Sequence, residues 1–191
     1  LFHVLYALIV SKCSSRDDVV FGSVLSGRMG GISGVDRTLG LFINTLPIRL
    51  RLENLSLADA LEQVHQKMAD LSRFEQTPLA VAQRCSAVSS GLPLFGAMLN
   101  YRHSETQGDS RPSIGGKIVH AQERTNYPFV LSVDDLGEGF SFTAQTDPSL
   151  DPARVVEYME QAVQVALDAL EKAAEISLRD LSILPRNERA Q

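Results

Sequence analysis

Two strand-like apolar runs joined by a glycine-rich loop dominate residues 19–52, VVFGSVLSGRMGGISGVDRTLGLFINTLPIRLRL. Val19, Val20, Phe21, Val24 and Leu25 form the first run, while Phe42, Asn44, Leu46, Ile48, Leu50 and Leu52 fall on one side of a period-two pattern. That is the repeat of a half-buried strand. Arg49 and Arg51 fall on the opposite side, so this face is wet near its end. Pro47 has no N–H to give to a ladder and calls for an edge or bulged position. Asn44 is the polar member of the apolar side, and an amide buried there costs roughly 1–3 kcal/mol unless it finds partners. It is therefore either a structural pin to a neighbouring loop or a substrate contact. Gly27, Gly30, Gly31 and Gly34 match neither the dinucleotide fingerprint nor a P-loop. They permit a sharp loop with positive backbone angles.

At 191 residues and 44% hydrophobic content, the chain can bury a core of one domain. It has no initiator Met, and Leu1, Val4, Leu5, Leu8 and Ile9 already show helical spacing with no capping residue before them. The expectation is a chain that starts inside a larger polypeptide. The opening run LFHVLYALIV has ten residues, too few to span a bilayer, and lacks the basic start of a secretion signal. A soluble, cytoplasmic protein is expected. A net charge of -5 with no long basic run argues against a nucleic-acid surface. Cys13 and Cys85 have no metal-site or disulfide-framework spacing and read as two small buried apolar residues in a reducing compartment.

Past the second strand, Ser56 with Asp59 makes a capping-box-like start, and Leu57, Leu61, Val64, Met68 and Leu71 repeat at three and four. An amphipathic helix follows. Pro78 opens a shorter helix over LAVAQRCSAV. Leu94 to Tyr101 reads as a strand, and the polar segment 104–116 reads as an exposed connection. Three strands then follow, KIVHA, FVLSVDD and FSFTAQT, with Gly137 and Gly139 turning the last two into a hairpin. Asp151 and Pro152 start a long helix whose apolar positions run from Val155 to Leu170. The tail LRDLSILPRNERAQ turns polar and reads as a linker from 177 to 191. The order predicts an α/β (α+β) fold, a mixed β-sheet covered by helices, over residues 1–176.

Catalytic chemistry is sparse. The histidines, His3, His65, His103 and His120, do not pair at a metal-hydrolase spacing. No Ser occupies a nucleophile elbow and no Cys lies in a nucleophile context. Asn100 and His103, in the polar group LNYRHS after a strand, are the secondary candidates for a functional contact.

FGSVLSGR (Phe21 to Arg28) and GLFINTLPIR (Gly40 to Arg49), in that order and spacing, resemble the condensation domains of nonribosomal peptide synthetases. The second matches the family's G-x-F-(V/I)-N-T-x-x-x-R signature. LNYRHS, TNYPFVLSVDD and LPRNER also resemble condensation sequences, and FEQTPLA resembles a degenerate copy of a further family element. The resemblance implies the second, C-terminal half of a chloramphenicol-acetyltransferase-like fold. The family's catalytic HHxxxDG belongs to the first half and is not in this sequence, so no catalytic residue carries over and the fragment alone is expected to be inactive. It implies amide formation between a donor acyl or peptidyl thioester and an acceptor aminoacyl thioester, with no cofactor bound directly and both substrates carried on the 4'-phosphopantetheine of carrier proteins. The implied partners are the upstream half-domain, donor and acceptor peptidyl carrier proteins, and an adenylation domain following the linker.

The family pattern places Gly22, Ser26, Gly27, Arg28, Asn44 and Thr45 at the substrate tunnel or its floor loop. Arg28 can equally be a structural cation paired with an acid such as Asp36. Epimerisation domains share the fold but carry an E-G-H-G-R string where this chain has Leu25-Ser26-Gly27-Arg28, which favours condensation. A dual epimerisation and condensation domain, and a non-catalytic carrier-protein-binding module, are the alternatives.

Overall fold

The computed structural model describes residues 1–28, 34, 37–89, 91–103, 123–172, 175–185 and 188. Along the chain lie α1 (Phe2–Ser14), β1 (Asp18–Leu25), β2 (Asn44–Arg51), α2 (Leu57–Ser72), α3 (Leu79–Cys85), β3 (Ala97–His103), β4 (Phe129–Asp135), β5 (Phe140–Thr146) and α4 (Pro152–Lys172). The strands form one mixed sheet in the order β2-β1-β3-β4-β5. The outer pairs β1–β2 and β4–β5 are antiparallel, and β1–β3 and β3–β4 are parallel. The α/β architecture expected from the sequence is therefore present. The expected segment 104–116 and strand 117–121 lie outside the described residues.

Strand pleating sorts the sheet into two faces. Val19, Phe21, Leu99, Leu131 and Val133, with Ile48 and Leu50 from β2, join the main core with residues of α1, α2 and α4. α1 is the centre of this layer. Phe2 and every residue from Val4 to Ile9 are buried, so the helix is apolar on all sides where the sequence suggested one face, because sheet, α2 and α4 all pack on it. Tyr6, wholly buried, donates its hydroxyl proton to Phe129 O at 2.9 Å and accepts from Met98 N at 3.1 Å. Those bonds fix the helix across β3 and β4.

The caps follow the sequence. Ser56 Oγ accepts from Asp59 N at 3.1 Å and starts α2, and Asp151 Oδ1 accepts from Ala153 N at 2.9 Å ahead of α4. Pro47 lies on β2, an edge strand, as its missing N–H requires. Two readings need correction. Both cysteines are exposed: Cys13 sits in the last turn of α1, beyond the buried run, and Cys85 ends α3, which buries no residue. Packing also does not stop at 176. Ser177 bridges to Ser56, and Leu178, Leu181 and Ile183 are buried in the core, so the segment expected as linker begins as part of the fold.

Candidate functional site

β1 and β2 bring the sequence-predicted residues to one end of the sheet, but not into one cluster. Gly22 and Thr45 occupy the face turned away from the main core, as does Asn100 on β3. Gly22 has a physical reason to lack a side chain: a Cβ there would lie 2.7 Å from the Thr45 methyl and collide with the Phe95 ring. Phe95, buried, stacks on Tyr127 at 5.4 Å, and Thr45 Oγ1 approaches Met98 Sδ at 3.9 Å. The result is a small second cluster on the outer face.

Ser26, Gly27 and Arg28 build the start of the loop between β1 and β2. Gly27 has φ +69°, and a Cβ would overlap the Phe42 carbonyl, so only glycine fits. The Gly27 carbonyl accepts a hydrogen bond from Gln76 Nε2. The Arg28 guanidinium lies 4.4 Å from the centroid of the Phe42 ring and donates to Thr38 O at 3.2 Å and Gly40 O at 3.3 Å. Ser26 Oγ accepts from Arg28 N at 3.3 Å. The two arms of the loop are thus tied to each other. Asp36, the alternative partner for Arg28, lies outside the described residues.

Asn44 is a pin. Its Nδ2 donates to Glu75 O at 2.9 Å and Thr77 O at 2.7 Å, and its Oδ1 accepts from Thr45 N at 2.9 Å. Both amide protons and the carbonyl oxygen are engaged, fastening β2 to the turn after α2. Beside it Glu75 is 2% exposed with Oε1 unpartnered among the described residues. The sequence singled out the Asn44 amide through its place on an apolar stripe. Gln76 lay within the FEQTPLA element that resembles the family, but its contact with Gly27, 49 residues away, could not be read from the sequence, and nothing there signalled Phe95, which fills the space over a glycine.

His103 stands apart, on the helix-side face at the last step of the β3–β4 ladder opposite Asp135. Its Nδ1 lies 2.8 Å from Asp135 Oδ2, which also accepts from Tyr101 Oη at 2.6 Å, while Asp135 Oδ1 accepts from Gly137 N at 2.9 Å. The Tyr101 hydrogen bond, then those of Gly137 and His103, hold the Asp135 carboxyl down at about 2, and the same contact pushes Tyr101 up to about 12. This carboxylate is an ionised anchor for two strand ends. Neighbouring Arg102 makes a two-pronged pair with Asp134, at 2.6 and 2.8 Å. Among the described residues no group of three His, Cys, Asp or Glu side chains could hold a metal ion. The described geometry offers walls, ties and hydrogen-bonding groups.

Comparisons with known proteins bear on the family and the fold. The family model described as Condensation domain matches residues 1–191. The chain is 44% identical over 189 residues to malpibaldin synthetase of Mortierella alpina, covering 98% of this chain and 3% of that protein. It is 27% identical over 189 residues to bacitracin synthase 3 of Bacillus licheniformis, covering 96% of this chain and 3% of that protein. Among solved structures, the starter condensation domain of rhizomide synthetase RzmA superposes with a TM-score of 0.66 at 18% identity, over 96% of this chain and 44% of that one. A four-domain nonribosomal peptide synthetase bound to AMP and glycine gives a TM-score of 0.70 at 18% identity, over 98% and 16%. At those identities the structures speak to the fold. The chain spans a few per cent of the length of the two synthetases matched by sequence and less than half of the starter domain.

Proposed function

The chain belongs to the condensation-domain family of nonribosomal peptide synthetases, and from that premise we propose that it is the C-terminal half of one such domain. The reaction is amide formation. The amine of an acceptor aminoacyl thioester attacks the carbonyl carbon of a donor acyl or peptidyl thioester, the C–N bond forms, the C–S bond breaks with its electron pair leaving on the donor sulfur, and the proton lost by the nitrogen ends on that sulfur as the free thiol. Both substrates arrive on the phosphopantetheine arms of peptidyl carrier proteins. The upstream half supplies the HHxxxDG motif, and the chain beyond Ile183, the last core residue of the tail, leads toward an adenylation domain. The setting is cytoplasmic.

One observation carries this reading: the family match runs through residues 1–191, and the two segments that carry the family pattern fold into paired strands joined by a tied loop. In this role the chain contributes position. Holding two tethered reactants within reach of each other supplies several kcal/mol of a bimolecular barrier, and a wall serves that purpose only if it is rigid. Gly27, Arg28 and Asn44 provide the rigidity through backbone carbonyls rather than by touching substrate. Gly22 and Thr45 lie on the outer sheet face and are the members of the predicted set that can form a wall.

The test is to read the coding sequence upstream of the Leu1 codon over about one half-domain. An in-frame HHxxxDG supports the proposal. A degenerate motif there, or a start codon at Leu1, contradicts it and favours a carrier-protein-binding module without chemistry.

A further inference from the structure

β1, β3 and β4 run parallel, so their carboxyl ends lie at one end of the sheet. From β1 the chain turns to β2 on one side, and from β3 it passes to β4 on the other. The strand order therefore reverses between β1 and β3, and in open sheets with parallel strands a ligand lies in the crevice outside the carboxyl ends at such a point. Here the crevice is open. The β1–β3 ladder joins Gly22 to Met98 and Ser23 to Leu99 and goes no further, although β1 runs on to Leu25 and β3 to His103. Ser26 and Gly27 leave β1 at this end, and His103 is the last residue of β3.

His103 is oriented there as a base. The Asp135 carboxyl, held down at about 2, is ionised at neutral pH, so the 2.8 Å contact is an Nδ1–H donated to Asp135 Oδ2. That bond fixes the tautomer and leaves the lone pair on Nε2, which has no partner among the described residues, on a side chain 55% exposed. Asp135 is itself locked by Tyr101 Oη at 2.6 Å and Gly137 N at 2.9 Å. A base oriented by a third group is the arrangement that proton transfer requires. A mere tie between strand ends needs Nδ1 alone.

The charge that the ring meets is Asp135. Arg102 lies on the opposite face of β3, paired with Asp134 and Glu123. α1 contributes Phe2, stacked on Tyr101 at 5.9 Å, and His3, engaged with Ser23 Oγ. β5 sets Phe140 opposite Asp135, and α4 lines the cavity beside Tyr101 with Val163 and Leu167. An anion behind an outward lone pair suits a ligand that is a cationic N–H donor, such as a primary ammonium.

We propose that His103, positioned by Asp135, is the proton acceptor for the ammonium group of the acceptor substrate. This assignment rests on the condensation reading above, in which the acceptor nitrogen attacks as the free amine. The ammonium N–H bond breaks, its electron pair stays on nitrogen as the nucleophilic lone pair, and the proton passes to His103 Nε2. The imidazolium pairs with Asp135 and returns the proton to water.

The test uses the complete condensation domain, upstream half included, with a soluble donor thioester and the N-acetylcysteamine thioester of glycine as acceptor. An α-ammonium gives up its proton near pH 8, so the need for a proton acceptor falls as pH rises. His103→Gln is expected to lower kcat/KM about a hundredfold near pH 6.5 and less than about threefold near pH 9. Asp135→Asn, which keeps the shape but no longer fixes the tautomer, follows the same trend. With an aminooxy acceptor, whose nitrogen is already neutral near pH 6.5, both variants lose less than about threefold. A loss that is the same at both pH values and for both acceptors, or no loss in His103→Gln near pH 6.5, overturns the proposal. If the unaltered domain forms no amide from either acceptor, the condensation reading falls, and the site is read separately from the 15N resonance of His103 Nε2 with glycinamide as probe. A shift that Asp135→Asn abolishes supports the proton acceptor, and no shift overturns it.

Discussion

A methyl group at position 22 would stand 2.7 Å from the Thr45 side chain and inside the reach of Phe95. Gly22→Ala therefore forces the ring or the edge strand to move, and overpacking of this kind costs about 1–3 kcal/mol. Denaturant unfolding of the domain should show that loss, and an unchanged midpoint would mean that the outer cluster is looser than drawn. Glu75 offers the opposite sign. Its Oε1 is buried without a partner among the described residues, and a buried charge lacking full compensation is destabilising. Glu75→Gln keeps the shape and drops the charge, so the melting temperature should rise; a fall would show that the carboxylate is satisfied in the folded protein. At this scale the sequence was informative where a residue broke a pattern. Asn44 interrupts an apolar stripe and is indeed pinned by its amide, whereas Glu75 sits in a polar turn where nothing in the sequence forecasts burial.

Elements were legible to the extent that their packing is one-sided. α2 and α4 have a solvent face, so their apolar period and their capping residues are visible in the sequence. α1 is enclosed by sheet and helices, and enclosure comes from what packs on it. His3 shows the consequence. Near the start of α1 its Nε2 lies 2.8 Å from Ser23 Oγ, and burial brings its pKa down from 6.5 to about 4. The unfolded chain takes up a proton as pH falls through 6.5 and the folded chain only near 4, so stability is lost across that window as pH falls. The full loss is about 3 kcal/mol. Comparing unfolding at pH 7 with pH 4.5, His3→Gln should lose less stability than the unaltered domain; equal losses would place the titration elsewhere. The loop between β1 and β2 is held as an element too. Asn44→Ala strips donors from the Glu75 and Thr77 carbonyls and should cost about 2–3 kcal/mol, with faster amide exchange around Thr45. Unaltered exchange would mean that the tie does not hold the loop.

The whole molecule is a sheet with its main helices on one face and a smaller cluster around Phe95 on the other. The order of helices and strands in the sequence was sufficient to place it in the α/β class. How far each position of the outer face is covered was not readable, because strand alternation shows which residues share a face and is silent on what covers each one. The account treats that face as a wall for tethered substrates, and its central claim is peptide-bond formation by the complete domain. The most direct measurement is intact mass spectrometry of both carrier proteins after the complete domain is mixed with a donor-loaded and an acceptor-loaded carrier. The account predicts that the acceptor carrier gains the mass of the donor acyl group while the donor carrier returns as the free thiol. Two carriers that keep their original loads in the presence of a folded domain would contradict it.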